Sequence, residues 1–221
     1  MTTLKTSPVV DLLPRLFAEA EASDAKLRQM FGAMTPEERA ARMRDPSSDY
    51  RQFYGRAKEL YLAVSPATAN LLYMLVRMTR AKSIVEFGTS FGISTIHLAA
   101  GLRDNGGGKL IGSDLEPSKI VTARRNLAEA KLSDLVEIRE GDALETLARD
   151  LPESIDVVLL DGHKPLYSRI LDLLAPKLHA GSCLVADNAD ACPDYIARVR
   201  KSDGGYLSVP FADDVELSIR L

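Results

Sequence analysis

A chain of 221 residues and 24.1 kDa, 46% hydrophobic and 27% charged, is long enough to bury one sizeable core and has the balance of an ordinary soluble globular domain with an appendage. Its 28 basic and 31 acidic residues leave a net charge of -3, which supplies no field to draw it to nucleic acid or an anionic membrane surface. The two cysteines, Cys183 and Cys192, show no CxxC spacing and no histidine at zinc-ligand spacing, so reduced thiols in a cytoplasmic protein fit best.

The opening stretch MTTLKTSPVVDLLPRLF lacks a continuous apolar run followed by a small-residue cleavage site, and no later run approaches the roughly 18 apolar residues of a membrane span. Secretion and membrane insertion are therefore not expected. Residues 1–80 read as helices without strands. An apolar-periodic piece covers Val9 to Ala20, a second begins at Thr35 as N-cap with Pro36 at the first helical position, and a third starts at Ser65-Pro66. The RDPSSDY stretch at 44–50 is turn-rich.

Beyond residue 80 short apolar runs alternate with helix-length amphipathic segments, the pattern of βαβ units around a parallel sheet. Strands are expected at 83–88, 109–115, 135–141, 156–161, 183–188, 206–210 and 215–221, with helices over 117–132 and 165–178. An open doubly wound sheet binds its ligand at the carboxyl ends of its strands, so polar residues there become the candidates.

The first such end reads VEFGTSFGIS. Gly88 closes the strand and Gly92 opens the next helix, so the backbone can approach a ligand and present free N–H groups. The pattern ExGxxxG, from Glu86 to Gly92, is not the GxGxxG that cradles a dinucleotide pyrophosphate, which points to a nucleoside ligand and disfavours NAD. Asp114 ends the second strand, where an acid accepts hydrogen bonds from ribose hydroxyls, and Asp142 follows the third, where an adenine edge would be met. Taken singly, the glycines have a steric reading and Asp114 could cap the helix at Pro117.

This arrangement resembles the class I S-adenosylmethionine (SAM) methyltransferases, whose first motif is ExGxxxG followed by an acid at the end of the second strand. The resemblance implies that Glu86, Asp114 and Asp142 hold the cofactor. Gly88, Thr89, Ser90, Gly92 and Ser94 of the turn, Ala143, and Asp161 with His163 complete the candidate contacts.

The fourth strand ends LLDGHKPLY and the fifth LVADNAD. Asp161, Asp187 and Asn188 are hard oxygen donors without sulfur, the set suited to Mg²⁺, Mn²⁺ or Ca²⁺. Singly, Asp161 could cap the helix near Pro165 and Lys164 could be an exposed lysine. D-x-x-K-x-x-Y followed by a strand ending in D-N resembles the metal-dependent O-methyltransferases of the catechol and caffeoyl-CoA type. That likeness covers about residues 60–221 by motif order. It implies a seven-stranded α/β sheet with the last strand antiparallel, a single domain over 1–221 made of a helical arm (1–80) and a SAM-binding core (81–221), and a homodimer. It further implies Lys164 as catalytic base, Asp161, Asp187 and Asn188 on the metal, most simply Mg²⁺, and a small catechol-like or vicinal-diol acceptor.

The stretch after Asn188 is shorter than in that family, so the acceptor is the least transferable feature. Glu216 lies near where the catechol enzymes carry a substrate-facing acid, but an edge-strand charge is more often solvent-exposed. The helical arm's apolar faces suggest the dimer contact. Two other readings are a methyltransferase for a tRNA nucleoside, for which RVRK at 198–201 is the one compact basic run, and a non-catalytic SAM-binding protein.

Overall fold

Five short valine-, isoleucine- and leucine-rich runs form parallel strands: β1 (Ser83–Phe87), β2 (Lys109–Asp114), β3 (Val136–Glu140), β4 (Ile155–Leu160) and β5 (Leu178–Ala186). With β6 (Tyr206–Phe211) and β7 (Val215–Arg220) they make one seven-stranded sheet of order β3-β2-β1-β4-β5-β7-β6 in which β7 is antiparallel to both neighbours. The expected doubly wound α/β architecture is therefore the one found. The computed structural model describes residues 2–35, 38, 55, 57–212 and 214–221.

Because the central strands are covered on both faces, successive side chains feed two separate cores, as a buried parallel sheet requires. Ile84, Leu110, Val157 and Val185 point to one, and Val85, Ile111, Val158 and Leu184 to the other. The first core is closed by the helical arm and by α3 and α4 described below. α1 (Val9–Gly32) contributes Val9, Leu12, Leu13, Leu16 and Ala20 at helical spacing, and α2 (Pro66–Thr79) contributes Leu72 and Val76. Burying each of these leucines stabilises the chain by roughly 1.5–3 kcal/mol before entropy is counted. The stripe on α1 is thus spent inside its own chain. Among the described residues of the arm the exposed large apolar side chains are Val10, Met74 and Met78.

Ser65 caps α2 by accepting a hydrogen bond from the Thr68 N–H at 3.0 Å, with Pro66 next to it. Thr35 and Glu38 form the reciprocal bonds of a capping box, at 2.8 and 3.2 Å. The rest of the helix expected after Pro36, and the turn at 44–50, lie outside the described residues.

α3 (Ile93–Asp104) is buried from Ile93 to Leu102, sandwiched between the sheet and the arm. α4 (Pro117–Glu129) packs Ile120, Ala123 and Leu127 inward, and α5 (Ala143–Thr146), α6 (Tyr167–Leu174) and α7 (Pro193–Val199) cover the second face. No helix among the described residues is long and apolar enough to cross a membrane.

Three boundaries differ from expectation. α1 continues past Ala20 to Gly32, since Ala22, Ala25, Lys26, Leu27, Arg28 and Gln29 favour the helix and no Pro or Gly interrupts it before Gly32. The helix expected over 165–178 is α6 flanked by two 3-10 turns, Lys164–Leu166 and Ala175–Lys177, since Pro176 has no N–H for an interior helical bond. β5 starts five positions before the expected 183, through a register irregularity against β4 between Ile155 and Val157.

Candidate active site

The parallel register sets the site. Phe87 lies opposite Ser113 and Leu160, and backbone bonds continue past the strand ends: Gly88 N–H donates to Ser113 O (3.0 Å), Gly141 N–H to Asp114 O (2.9 Å), Asp161 N–H to Phe87 O (2.8 Å) and Asp187 N–H to Leu160 O (2.9 Å). Gly88, Asp114, Gly141, Asp161 and Asp187 therefore stand along one rim, where the strand order reverses between β1 and β4.

At this rim a cleft is lined by Gly88, Ser90, Asp114, Lys119, Asp142, Ala143, Asp161 and His163, with Leu62, Phe87 and Leu166 among its apolar walls. Gly88 is held at φ +97, and a Cβ there would fall 2.4 Å from Asp161 O, so only glycine lets β1 turn against the end of β4. Gly92 (φ +88) is the N-cap of α3 in the left-handed region, which again suits glycine.

Asp114 does not cap α4. Glu116 does, accepting from Ser118 N–H at 3.2 Å, while Asp114 takes the Ser90 N–H at 2.7 Å and the Glu116 N–H at 3.0 Å. Two peptide donors hold the carboxylate at the cleft wall, and each oxygen keeps a second lone pair for a ligand hydroxyl. Asp142 caps α5 through the Leu144 N–H at 2.9 Å and lines the cleft beside Ala143. His163 also lines it, its pKa lowered by burial and by the nearby Lys164.

Glu86 is fully buried behind the glycine turn and accepts from Ser94 Oγ (2.6 Å), Thr95 Oγ1 (2.6 Å) and Thr89 Oγ1 (3.2 Å). It ties the strand end to the turn and to α3 and so supports the cleft from behind; Ser94 and Thr89 face it. Burial pushes its carboxyl up to about 7, against the three hydroxyl bonds that lower it. Below the ordinary value of 4.5 the proton is held in both folded and unfolded chains, between 4.5 and about 7 only the folded chain holds it, and above that the fold carries a buried carboxylate. Raising the pH from 5 to 8 should therefore shift the stability difference between Glu86→Gln and wild type by roughly 2–3 kcal/mol in favour of the variant. Urea titrations at both pH values check this, and a constant difference would show that Glu86 is ionised throughout.

At the neighbouring strand ends Lys164 Nζ donates to Asp161 Oδ1 (3.1 Å) and to Tyr167 Oη (2.9 Å), and Tyr167 Oη donates to Asp187 O (2.8 Å). Lys164 is therefore not an exposed lysine: its side chain is 11% exposed. Asp161 does not cap a helix either, since neither the 3-10 turn at Lys164 nor α6 has a side-chain cap. Burial, then repulsion from Asp161, holds the Asp187 carboxyl well above the usual range; Asp161 is raised by burial and drawn back by Lys164. Asn188 sits in the left-handed region and donates through Nδ2 to Asp214 Oδ2 at 3.1 Å. Among the described residues no three His, Cys, Asp or Glu side chains are grouped as a metal site.

Two features were missed or misplaced in the sequence. Lys119, 2% exposed, reaches the cleft from α4 and donates to Ser90 Oγ at 3.3 Å. Its position at i, i+4 and i+7 with Ala123 and Asn126 on the buried stripe was the available signal. Glu216 is neither exposed nor facing the cleft, because Arg200 clamps it with two bonds of 2.7 and 2.6 Å. The 198–201 run is accordingly not a free basic face: Arg198 pairs with Asp172, Arg200 with Glu216 and Lys201 with Asp203.

A sequence profile described as a methyltransferase domain matches residues 85–189, which span this whole rim. Over those residues, a little under half of the chain, it is similar to that family. The chain is 33% identical over 130 residues to a catechol O-methyltransferase of Niastella koreensis, covering 58% of each chain. The chain thus spans about half the length of the curated relatives it matches, from 58% down to 44%. Solved structures with the same fold include an O-methyltransferase from Bacillus cereus in complex with SAH, the demethylated product (TM-score 0.65, 21% identity, 82% of this chain and 95% of that one). Another is an O-methyltransferase from Streptomyces achromogenes in complex with SAM (0.63, 22%, 81% and 93%).

Proposed function

We propose that this protein is a SAM-dependent O-methyltransferase whose acceptor is a small molecule with adjacent hydroxyls. The observation that carries it is the single rim on which a cleft with Asp114 and Asp142 on its wall meets the Lys164–Asp161–Asp187 group. SAM supplies a methyl group on a sulfonium. Asp114 would hold the ribose hydroxyls, the backbone around Gly88 would admit the amino-acid tail, and Asp142 with Ala143 would face the base.

Asp161, Asp187 and Asn188 fit a hard divalent cation by donor chemistry, since the buried Asp187 carboxyl, raised by desolvation and by Asp161, would be relieved by a cation. When bound, such an ion would chelate the acceptor oxygens and lower a hydroxyl pKa. Lys164 would take the hydroxyl proton, and Tyr167 and Asp161 hold its Nζ in place. The internal pairing of residues 198–201 and the even charge balance favour a small acceptor over tRNA. A cytoplasmic location and a homodimer are proposals from the free thiols and the family resemblance.

Calorimetry tests the cofactor assignment. SAM or SAH should bind the purified chain, and Asp114→Ala should weaken binding by about 1–3 kcal/mol, the loss of a buried hydrogen-bond partner. Tight NADH binding without SAM binding would overturn it.

A further inference from the structure

The segment Tyr61–Val64 belongs to the helical arm's return toward the core, yet it walls the site. Leu62 lines the main cleft, and Tyr61, Ala63 and Val64 line an adjoining recess with Gly88, Thr89 and Asp161. From one side this segment is hung on Asp24 of α1. The Asp24 carboxylate accepts the Tyr61 N–H and the Leu62 N–H, both at 2.9 Å, and Ser23 Oγ at 2.7 Å. Asp24 is 5% exposed, and a carboxylate that deep is tolerated because donors fill its lone pairs.

From the other side the segment rests on the glycine turn. Ser90 Oγ donates to Tyr61 O at 2.5 Å, and the Tyr61 ring stacks on Phe91 with centroids 4.2 Å apart. Leu62 and Ser90, which both line the cleft, stand at φ +49 and +46, a left-handed conformation that non-glycine residues keep only when their surroundings over-determine it. Nothing in the mechanism above uses Asp24.

We propose that Asp24 is a positioning residue for the cofactor: without touching the ligand, it holds Tyr61 and Leu62 against the glycine turn and thereby sets how long the cofactor stays in the cleft. The proposal rests on the reading of that cleft as the SAM site. Asparagine at position 24 keeps the shape but presents one acceptor and an NH₂ group to two peptide donors, so either the Leu62 N–H loses its partner or the Tyr61 N–H keeps only its longer 3.3 Å bond to Ser23 Oγ.

The test measures SAH dissociation by stopped-flow displacement, with amide hydrogen exchange at Tyr61 and Leu62 in the presence and absence of SAH. In the wild type SAH should slow exchange at both amides. Asp24→Asn should raise the dissociation rate about tenfold or more, as expected for one lost buried hydrogen bond, and should lose that SAH-dependent protection. A purely structural role is separated by Tyr73→Phe, which removes the 2.6 Å bond from Tyr73 Oη to Asp104 at a tether that does not line the cleft. That variant should lower Tm while leaving dissociation within about twofold. If Asp24→Asn does not fold, Ser23→Ala, which removes the hydroxyl that donates to Asp24 and accepts the Tyr61 N–H at 3.3 Å and which lines neither the cleft nor the recess, should show the same faster release. Wild-type binding with unchanged release in the folded Asp24→Asn variant, or in Ser23→Ala where the first does not fold, overturns this proposal alone. Equal acceleration by Tyr73→Phe overturns it as well. A wild-type chain that binds no SAH overturns the cofactor reading and this proposal with it.

Discussion

Replacing Lys164 by alanine is expected to lower kcat by about 10²- to 10⁴-fold, the range contributed by a positioned proton acceptor, while the Kd for SAM stays within about twofold. The split follows from where the lysine stands. Its Nζ is fixed at 3.1 Å from Asp161 Oδ1 and 2.9 Å from Tyr167 Oη, and it does not line the cleft assigned to the cofactor. Lys164→Arg discriminates between two roles. If the ammonium merely balanced Asp161, arginine would restore the rate; a guanidinium that stays protonated in proteins cannot accept a proton and should not. Initial rates with labelled SAM, paired with calorimetry, read both quantities, and a fully active Lys164→Ala enzyme would refute the assignment.

Chelation should abolish methyl transfer, Mg²⁺ or Mn²⁺ should restore it, and Asp187→Ala should abolish it beyond recovery by added metal, all with SAM binding preserved. Oxygen donors of this kind hold Mg²⁺ moderately, so EDTA should remove it without unfolding the sheet. Asp187 is 8% exposed, and its carboxyl is raised by burial and by Asp161; deleting it in the metal-free chain therefore removes an unfavourable interaction and should not lower Tm greatly. Asn188→Ala should be the milder change, since it removes a neutral donor and leaves both carboxylates. Full activity in excess EDTA, with no metal detected by elemental analysis, would show that the D-N strand end is structural.

What the sequence by itself determined was whatever depends on near neighbours. Apolar runs bounded by turns announced all seven strands, and ExGxxxG announced a turn that only glycine at Gly88 can make. Acids directly after strands were legible as a site because parallel strands in register must end together, which brings Asp114, Asp161 and Asp187 to one rim whatever the loops between them do. Only the tertiary structure decided which way each group faces and with what it pairs. The ExGxxxG motif does not say which hydroxyls Glu86 meets, and the fold supplies those of Ser94 and Thr95 on α3. Glu216 is taken by Arg200, sixteen positions away, through pairing that no local period encodes. Asp24 meets the Tyr61 N–H across 37 positions, and Lys119 enters the cleft because the α4 stripe happens to pass over Ser90. Backbone geometry and hydrophobic period act over a few residues and are written in the order of the chain. The partner of a buried charge is chosen by desolvation among whatever groups the finished core brings within reach, so it appears only once the core has formed.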